Sequence, residues 1–362
     1  MHLLILGGSS DHPGGVEAFC ERSAEALGRS GEWRINRIPT GTAFLTLRRL
    51  PVLLGGLASL FRYRRQRPDV VWLQYVNLPD LCYLAFAKLL GLRVMVTPHL
   101  GSNWRSQSNP ALRALSGWLL GFADRLALIS PTQEREINLP AALPRSLIRN
   151  FLPAAVLGSV LPDEGSAPPV LQLIHSGRLS EGKGTFLFVE VCEQLRASGV
   201  PFFARITGGA DETTSARLHA MIAERDLGDQ VAVLGRVPEA VLLDLLQRSD
   251  ILIHLSRIDS YPLIVLEAMA CSMLPVCMEL AGARDMVETY DGQVVSTSGA
   301  VEEAASFLAR QDLADLRRRG RIAAAKVRAD YNWDRCAGAL AAALRACVAE
   351  DRTLVTRPDP VI

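Results

Sequence analysis

The sequence predicts an α/β protein built of two doubly wound sheets, and three observations predict it. At 362 residues the chain is long for one hydrophobic core and sufficient for two domains of ordinary size. Its hydrophobic content is 49% with only 6% aromatics, which suits Leu-, Val- and Ala-rich layers of helix on sheet better than a β sandwich. Short apolar runs then alternate with segments of helical period in both halves, the pattern of parallel βαβ units.

In the first half, His2 to Leu6 is an apolar strand and residues 7–15 form a glycine-rich loop. Val16 to Leu27 carries apolar residues at helical spacing and ends near Gly28. Strand, glycine loop and helix can cradle a phosphate, because glycines let backbone N–H groups approach an anion. The loop lacks the dinucleotide spacing Gly-x-Gly-x-x-Gly, so a tight turn explains it as well. Asp69 to Gln74 is the next strand, Leu81 to Leu90 a helix, and Leu92 to Thr97 a strand that delivers His99 to its C-terminal end. Open α/β sheets bind ligands at that end, so His99 either faces a ligand or serves the core. Leu126 to Ile129 and Ser146 to Arg149 complete this half.

Pro153 to Pro169 has four prolines and no period, and reads as a hinge. A second alternation follows, with strands at Val170 to His175, Phe202 to Thr207, Gln230 to Leu234 and Asp250 to Ser256, and a helix at Thr185 to Ser198. Arg178 and Lys183 lie five apart in the glycine-bearing loop after the first of these strands. Both cations can converge on a diphosphate, arginine through a fork of donors and lysine as a point charge. Asp259 and Glu267 lie eight apart across a strand-loop-helix junction, with Pro262 in the first turn of the helix. The helix N-terminus suits a phosphate and the carboxylates suit sugar hydroxyls. A buried α/β unit capped by Ser260 is the plainer alternative.

Charge and cysteine usage narrow the class. The net charge of +1 does not suggest a nucleic-acid binder. Seven cysteines without a Cys-x-x-Cys pair point to reduced thiols in a cytoplasmic protein, and the six histidines show no metal-ligand spacing. Met1 to Leu6 reads as a first strand and not a signal peptide, and the longest apolar run, Leu50 to Phe61, falls short of the ~20 residues of a spanning helix. Residues 33–68 hold eight arginines (34, 37, 48, 49, 62, 64, 65 and 67) and no acid. Around an apolar Leu45 to Tyr63 they make either a face for an anionic membrane or the solvated side of a core helix.

Taken together, Ser176 to Gly184, Leu234 to Val237, Ser249 to Ser256, Asp259 to Ala270 and Gly282 to Asp285 resemble the retaining, nucleotide-sugar-dependent glycosyltransferases of family 4. Weaker echoes are Gly14 to Glu17, His99, Ile148 to Asn150, and Tyr331 to Trp333. The resemblance implies the GT-B fold, two Rossmann-like domains facing each other across a cleft. It divides the chain into an acceptor-side domain 1–160, a donor-side domain 161–332, and a returning helix with its tail, 333–362. It implies Arg178 and Lys183 on the donor diphosphate, Gly14 and Gly15 meeting it from the other domain, and Arg236 and Val237 at the nucleobase. Glu267 would grip the ribose; Asp259, with Ser260, Tyr261, Pro262 and Leu263 after it, and His99 would stand by the sugar. No metal or other cofactor is implied beyond the nucleotide-sugar itself, UDP- or GDP-linked. The acceptor would be a glycan or lipid-linked species in polysaccharide or glycolipid synthesis, with the protein peripheral at the inner face of the membrane if residues 33–68 are a membrane face.

This chain departs from the family pattern at several positions. Asp259 replaces a glutamate, shortening its reach by roughly 1.5 Å, and Ser260 and Ser272 stand where glycine is common. The competing reading is a non-catalytic sugar-nucleotide or polysaccharide-binding partner of an assembly complex. A nicotinamide dehydrogenase is disfavoured, since neither glycine loop has the required spacing.

Overall fold

The computed structural model describes residues 1–8, 14–41, 50–102, 104–161, 168–259, 261–279 and 281–349, without the side chains of 281–283. Ser260, Arg48, Arg49 and the tail beyond 349 therefore lie outside the described residues.

Two six-stranded sheets organise the chain. The first contains β1 (His2–Leu6), β2 (Arg34–Ile38), β3 (Val70–Tyr75), β4 (Val94–Pro98), β5 (Arg125–Leu128) and β6 (Arg145–Leu147). Its order is β2-β1-β3-β4-β5-β6, with every neighbouring pair parallel. The second contains β7 (Leu171–Ser176), β8 (Phe202–Thr207), β9 (Val231–Gly235), β10 (Ile251–His254), β11 (Leu274–Met278) and β12 (Gln293–Val295). Its order is β12-β11-β10-β7-β8-β9, again all parallel. Each order reverses beside the first strand of its sheet, the place where doubly wound sheets open a crevice at their C-terminal ends.

Residue alternation explains how β1 is buried on both faces. Leu3 and Ile5 belong to a core that runs on through Phe151, Leu152 and Val156 into the second half. Leu4 and Leu6 point to the opposite side and pack with Leu53, Leu60 and Tyr83. Helices cover both faces, so continuous apolar runs replace an in-out pattern.

Three elements differ from the sequence expectation. β2, Arg-Ile-Asn-Arg-Ile, is a strand where the sequence shows a basic stretch; it is an edge strand, so only Ile38 is fully buried and the apolar signal is weak. Within residues 153–169, Ala154–Gly158 forms a short helix with Val156 buried, so this portion is packed between the halves. The third is the basic stretch itself, which finds acids outside residues 33–68: Arg37 pairs with Glu17 and approaches Glu21 at 3.8 Å. Arg34 donates to Gln66.

The helix Trp333–Ala349 returns to the first half and packs on the helix Gly15–Gly28 and on β3 and β4. It also grips the segment between the halves. Trp333 Nε1 donates to the Leu152 carbonyl at 2.7 Å, and Cys336 Sγ lies 3.6 Å from the Asn150 carbonyl.

Candidate active site

The loop carrying Arg178 and Lys183 is shaped by Thr185, whose Oγ1 accepts the Ser180 N–H at 3.0 Å and lies 3.1 Å from His175 Nε2. Gly184 has φ +76°, and a Cβ there would stand 2.3 Å from the Leu255 carbonyl oxygen. Only glycine lets the loop lie so close to the segment after β10. Arg257 N–H donates to the Gly182 carbonyl at 2.9 Å across the same seam.

This seam brings Lys183 Nζ into an ion pair with Asp259 Oδ1. His254, the last residue of β10, places Nε2 2.9 Å from Asp259 Oδ2. A carboxylate only accepts, so this Nε2 carries the proton. Burial pushes the Asp259 carboxyl up, but the His254 hydrogen bond and the His254 and Lys183 charges outweigh it and hold the group well below the usual carboxylate range. Asp259 is therefore a fixed anion with both oxygens held.

A second group forms around Glu267. The helices Gly15–Gly28 and Leu263–Ala270 start at Gly14 and Pro262, neither with a side-chain cap. A Cβ at Gly15 would lie 3.7 Å from Leu263 Cδ1, so the two helix starts meet across the cleft. Their orphan N–H groups and partial positive charge face a shared space, a combination suited to a diphosphate. Glu267, one turn into its helix, is paired with Arg22 Nη1 at 2.9 Å, the two side chains only 14% and 16% exposed. The same Arg22 nitrogen donates to the Phe151 carbonyl at 3.1 Å, and Nη2 reaches Glu239 at 3.6 Å. Burial raises the Glu267 carboxyl above its ordinary range while Arg22 opposes the rise. A cavity of about 620 Å³ is lined by residues of both halves, among them Gly14, Glu17, Arg22, Val237 and Glu267.

Two of the remaining candidate residues are exposed at strand ends and two are packed within the fold. Arg178 is exposed just past β7, and Arg236 is exposed just past β9. Leu179 N–H donates to Gly209 at 2.8 Å and Gly208 N–H to Gly235 at 2.8 Å, which sets both arginines on one C-terminal edge. Gly208 has φ +143°, and a Cβ there would fall 1.6 Å from the Gly177 carbonyl oxygen. His99 lies past β4, its Nε2 2.8 Å from Gln74 Oε1 and its ring edge-on to Phe19 at 5.1 Å. Burial pushes its pKa down to about 3, so the ring is neutral and donates to the amide. Tyr261 Oη lies 2.6 Å from Tyr331 Oη, which ties that side chain to the segment before the returning helix, and burial pushes its pKa up to about 12.

The structure thus brings together Lys183 with Asp259, Gly15 with Leu263, and Gly14, Val237 and Glu267 around one cavity. Lys183, Asp259 and His99 do not line that cavity. Sequence reasoning missed two participants. His254 had a signal, an imidazole in an otherwise apolar strand five residues before Asp259. Arg22 had none, since its partner lies 245 residues away. Among the described residues no three His, Cys, Asp or Glu side chains are placed to hold a metal ion.

Comparison with known proteins follows the same division. Residues 163–323 match the family model of the glycosyl transferases group 1, and residues 14–148 that of the glycosyl transferase 4-like domain. The chain resembles the group 1, family 4 glycosyltransferases. Among relatives, it is 24% identical to one component of the phosphatidylinositol N-acetylglucosaminyltransferase of Arabidopsis thaliana over 267 residues, 71% of this chain and 59% of that protein. It is 29% identical to the amylovoran biosynthesis glycosyltransferase AmsK of Erwinia amylovora over 170 residues, 45% of this chain and 41% of that protein. The matched regions thus span about half the length of these relatives. In structure it is similar to Anabaena HepE in complex with UDP, with a TM-score of 0.73 at 15% identity, covering 96% of this chain and 100% of that one. That likeness speaks for the fold, the two-sheet GT-B architecture.

Proposed function

We propose that this chain is a retaining glycosyltransferase of the hexosyltransferase type. It moves a sugar from a UDP- or GDP-linked donor to a hydroxyl of a glycan or lipid-linked acceptor, in polysaccharide or glycolipid synthesis. The observation that carries the reading is the meeting of two uncapped helix N-termini at Gly15 and Leu263, with a carboxylate for ribose one turn beyond. The residues 1–160 then form the acceptor side and 161–332 the donor side.

Arg178 and Lys183 take the donor diphosphate in this reading, and Lys183 exchanges its Asp259 partner for a phosphate oxygen. Two cations and two helix N-termini then carry the charge that builds up as the glycosidic bond breaks, without a metal. The leaving phosphate oxygen accepts the acceptor's proton on the face it departs from, so the new bond forms with retention. Asp259, held by His254, keeps a fixed negative charge beside the sugar as positive charge develops there.

The acceptor side offers a surface for a membrane. On the helix Leu50–Arg64 the large apolar residues Leu50, Leu54 and Phe61 share one face and are 44%, 57% and 49% exposed, while Arg62, Arg64, Arg65 and Arg67 are exposed at its end. Each cation near an anionic surface contributes about 1 kcal/mol, so four give roughly 4 kcal/mol of reversible, salt-sensitive attachment. No described helix is long and apolar enough to cross a bilayer.

A panel of UDP-, GDP- and ADP-sugars tests the proposal by thermal stabilisation and by NMR of the anomeric product, with and without EDTA. Stabilisation by one donor and a retained anomer are expected, unaffected by EDTA. An inverted anomer overturns retention, a strict metal requirement overturns the role given to the two cations, and binding without hydrolysis or transfer selects the non-catalytic partner. Co-sedimentation with anionic vesicles at low salt, lost on substituting the four arginines by glutamine, tests the membrane surface.

A further inference from the structure

The cation that faces Glu267 comes from the other half of the molecule. Arg22 stands on the helix Gly15–Gly28 of the first half, and Glu267 on the helix Leu263–Ala270 of the second. The guanidinium is not loose. Its Nη1 is fixed by the Phe151 carbonyl at 3.1 Å, in the crossing segment that Trp333 grips one residue later through the Leu152 carbonyl. Phe151 and Trp333 also meet edge to face, with ring centroids 5.9 Å apart.

Among the described residues, the other charged groups around this cavity work against the charge of Glu267. Glu239, from the helix Glu239–Gln247, repels it, and Glu17 and Glu21 of the Arg22 helix line the same cavity. Burial penalises the carboxylate further. Glu17 is matched by Arg37, which leaves Arg22 as the cation among the cavity-lining residues that pairs with Glu267. A ribose-binding acid must be ionised to accept hydrogen bonds from two hydroxyls, since the protonated form has a donor on one oxygen.

We infer that Arg22 is a positioning residue for the donor site: it supplies the countercharge of Glu267 and holds that carboxyl at the cavity from across the domain boundary, so that ribose recognition is complete only while the two halves are together. The inference rests on the reading of Glu267 as the ribose contact. It adds that the acceptor-side half supplies the charge that opposes the burial of a donor-side carboxyl.

The test uses the full chain with Arg22→Gln and Arg22→Lys, and UDP and GDP as probes by isothermal titration calorimetry between pH 5.5 and 8.5. Arg22→Gln is expected to weaken binding of the preferred nucleotide about tenfold or more at the acid end, the scale of one hydrogen bond to a charged group. The deficit should shrink as the pH rises and Glu267 ionises unaided. Arg22→Lys should restore the wild-type pH dependence. A deficit of the same size at every pH overturns the inference in favour of a packing role, and tighter binding overturns it in favour of a latch that the donor must displace.

A ligand-free measurement separates this from the reading of function. In Arg22→Gln the folded-state pKa of Glu267 moves further above its unfolded value. The unfolded chain then releases its proton first as the pH rises, and the melting temperature should fall below wild type by a margin that widens with pH. Adding Glu267→Gln should abolish that widening. If the widening is seen but neither nucleotide binds wild type, the electrostatic linkage stands and the donor reading fails; a margin independent of pH sinks the linkage itself.

Discussion

The two halves share one plan of six parallel strands, yet they equip the cleft in different ways. The second half builds its part from side chains locked to one another: Thr185 on His175, Gly184 against Leu255, and Lys183 with His254 on Asp259. The first half contributes the bare helix start at Gly14 and Gly15, one arginine, and a neutral histidine on Gln74. Preorganised charge belongs to one side, and shape with a conditional charge to the other. Such a division suits a donor that is always bound the same way and an acceptor surface free to vary.

The largest expected effect strikes the preorganised side. Lys183→Ala removes the partner of Asp259 and, in the proposed function, a charge-assisted bond to phosphate of about 1.5–3 kcal/mol, so kcat/KM should fall roughly 10- to 100-fold. Activity within twofold of wild type in a radiolabelled donor assay would show that the first half carries the phosphate site. Next in size is a split between the carboxylates. Asp259→Asn should lower kcat, since a fixed anion beside the sugar acts most in the transition state, whereas Glu267→Gln should mainly raise the donor KM. Exchanged phenotypes would mean that the roles are reversed.

Acid sensitivity compares the halves directly, because among the described residues each holds one histidine whose pKa is pushed down. His99 is pushed down to about 3 and His175 to about 4, in each case chiefly by burial. Their unfolded forms take up protons below about 6.5, so the unfolded state binds more protons and stability falls as the pH drops from there toward 4. About 1–2 kcal/mol per histidine should be lost by pH 5 in urea titrations. Asp259, whose pKa is depressed, stays ionised in this window and adds its loss only below the ordinary carboxylate range. A stability flat from pH 7 to 5 would show that both rings protonate without penalty.

The smallest effect concerns Ser272, which follows the helix Leu263–Ala270 with φ +72° and a buried hydroxyl lacking a partner among the described residues. Relieving a left-handed serine should gain about 1 kcal/mol, so Ser272→Gly is expected to raise the melting temperature by a few degrees without changing kcat.

Much of this plan was legible because buried parallel strands announce themselves. Val-Val-Trp-Leu-Gln-Tyr and Leu-Gln-Leu-Ile-His-Ser are apolar on both faces and sit between helical periods, as β3 and β7 require. The loop cations and the spaced carboxylates could be picked out by their spacing, but not the ion pair of Lys183 with Asp259, whose partners lie 76 residues apart. What escaped was either marginal in burial or distant in sequence. β2 lies at an edge and keeps two arginines, and Ala154–Gly158 hides its single turn among prolines. Arg22 looks like any arginine on an amphipathic helix until the second half is folded against it.

The returning helix has a consequence for how the protein is made. Trp33 and Trp333 share a groove closed by Arg345, and the helix Trp333–Ala349 covers a wall of the first half that would otherwise face water. That wall is translated hundreds of residues before its cover, at roughly 5–20 residues per second. The same helix that covers this wall also clamps the crossing segment at Leu152, so both contacts can form only after Trp333–Ala349 has been made.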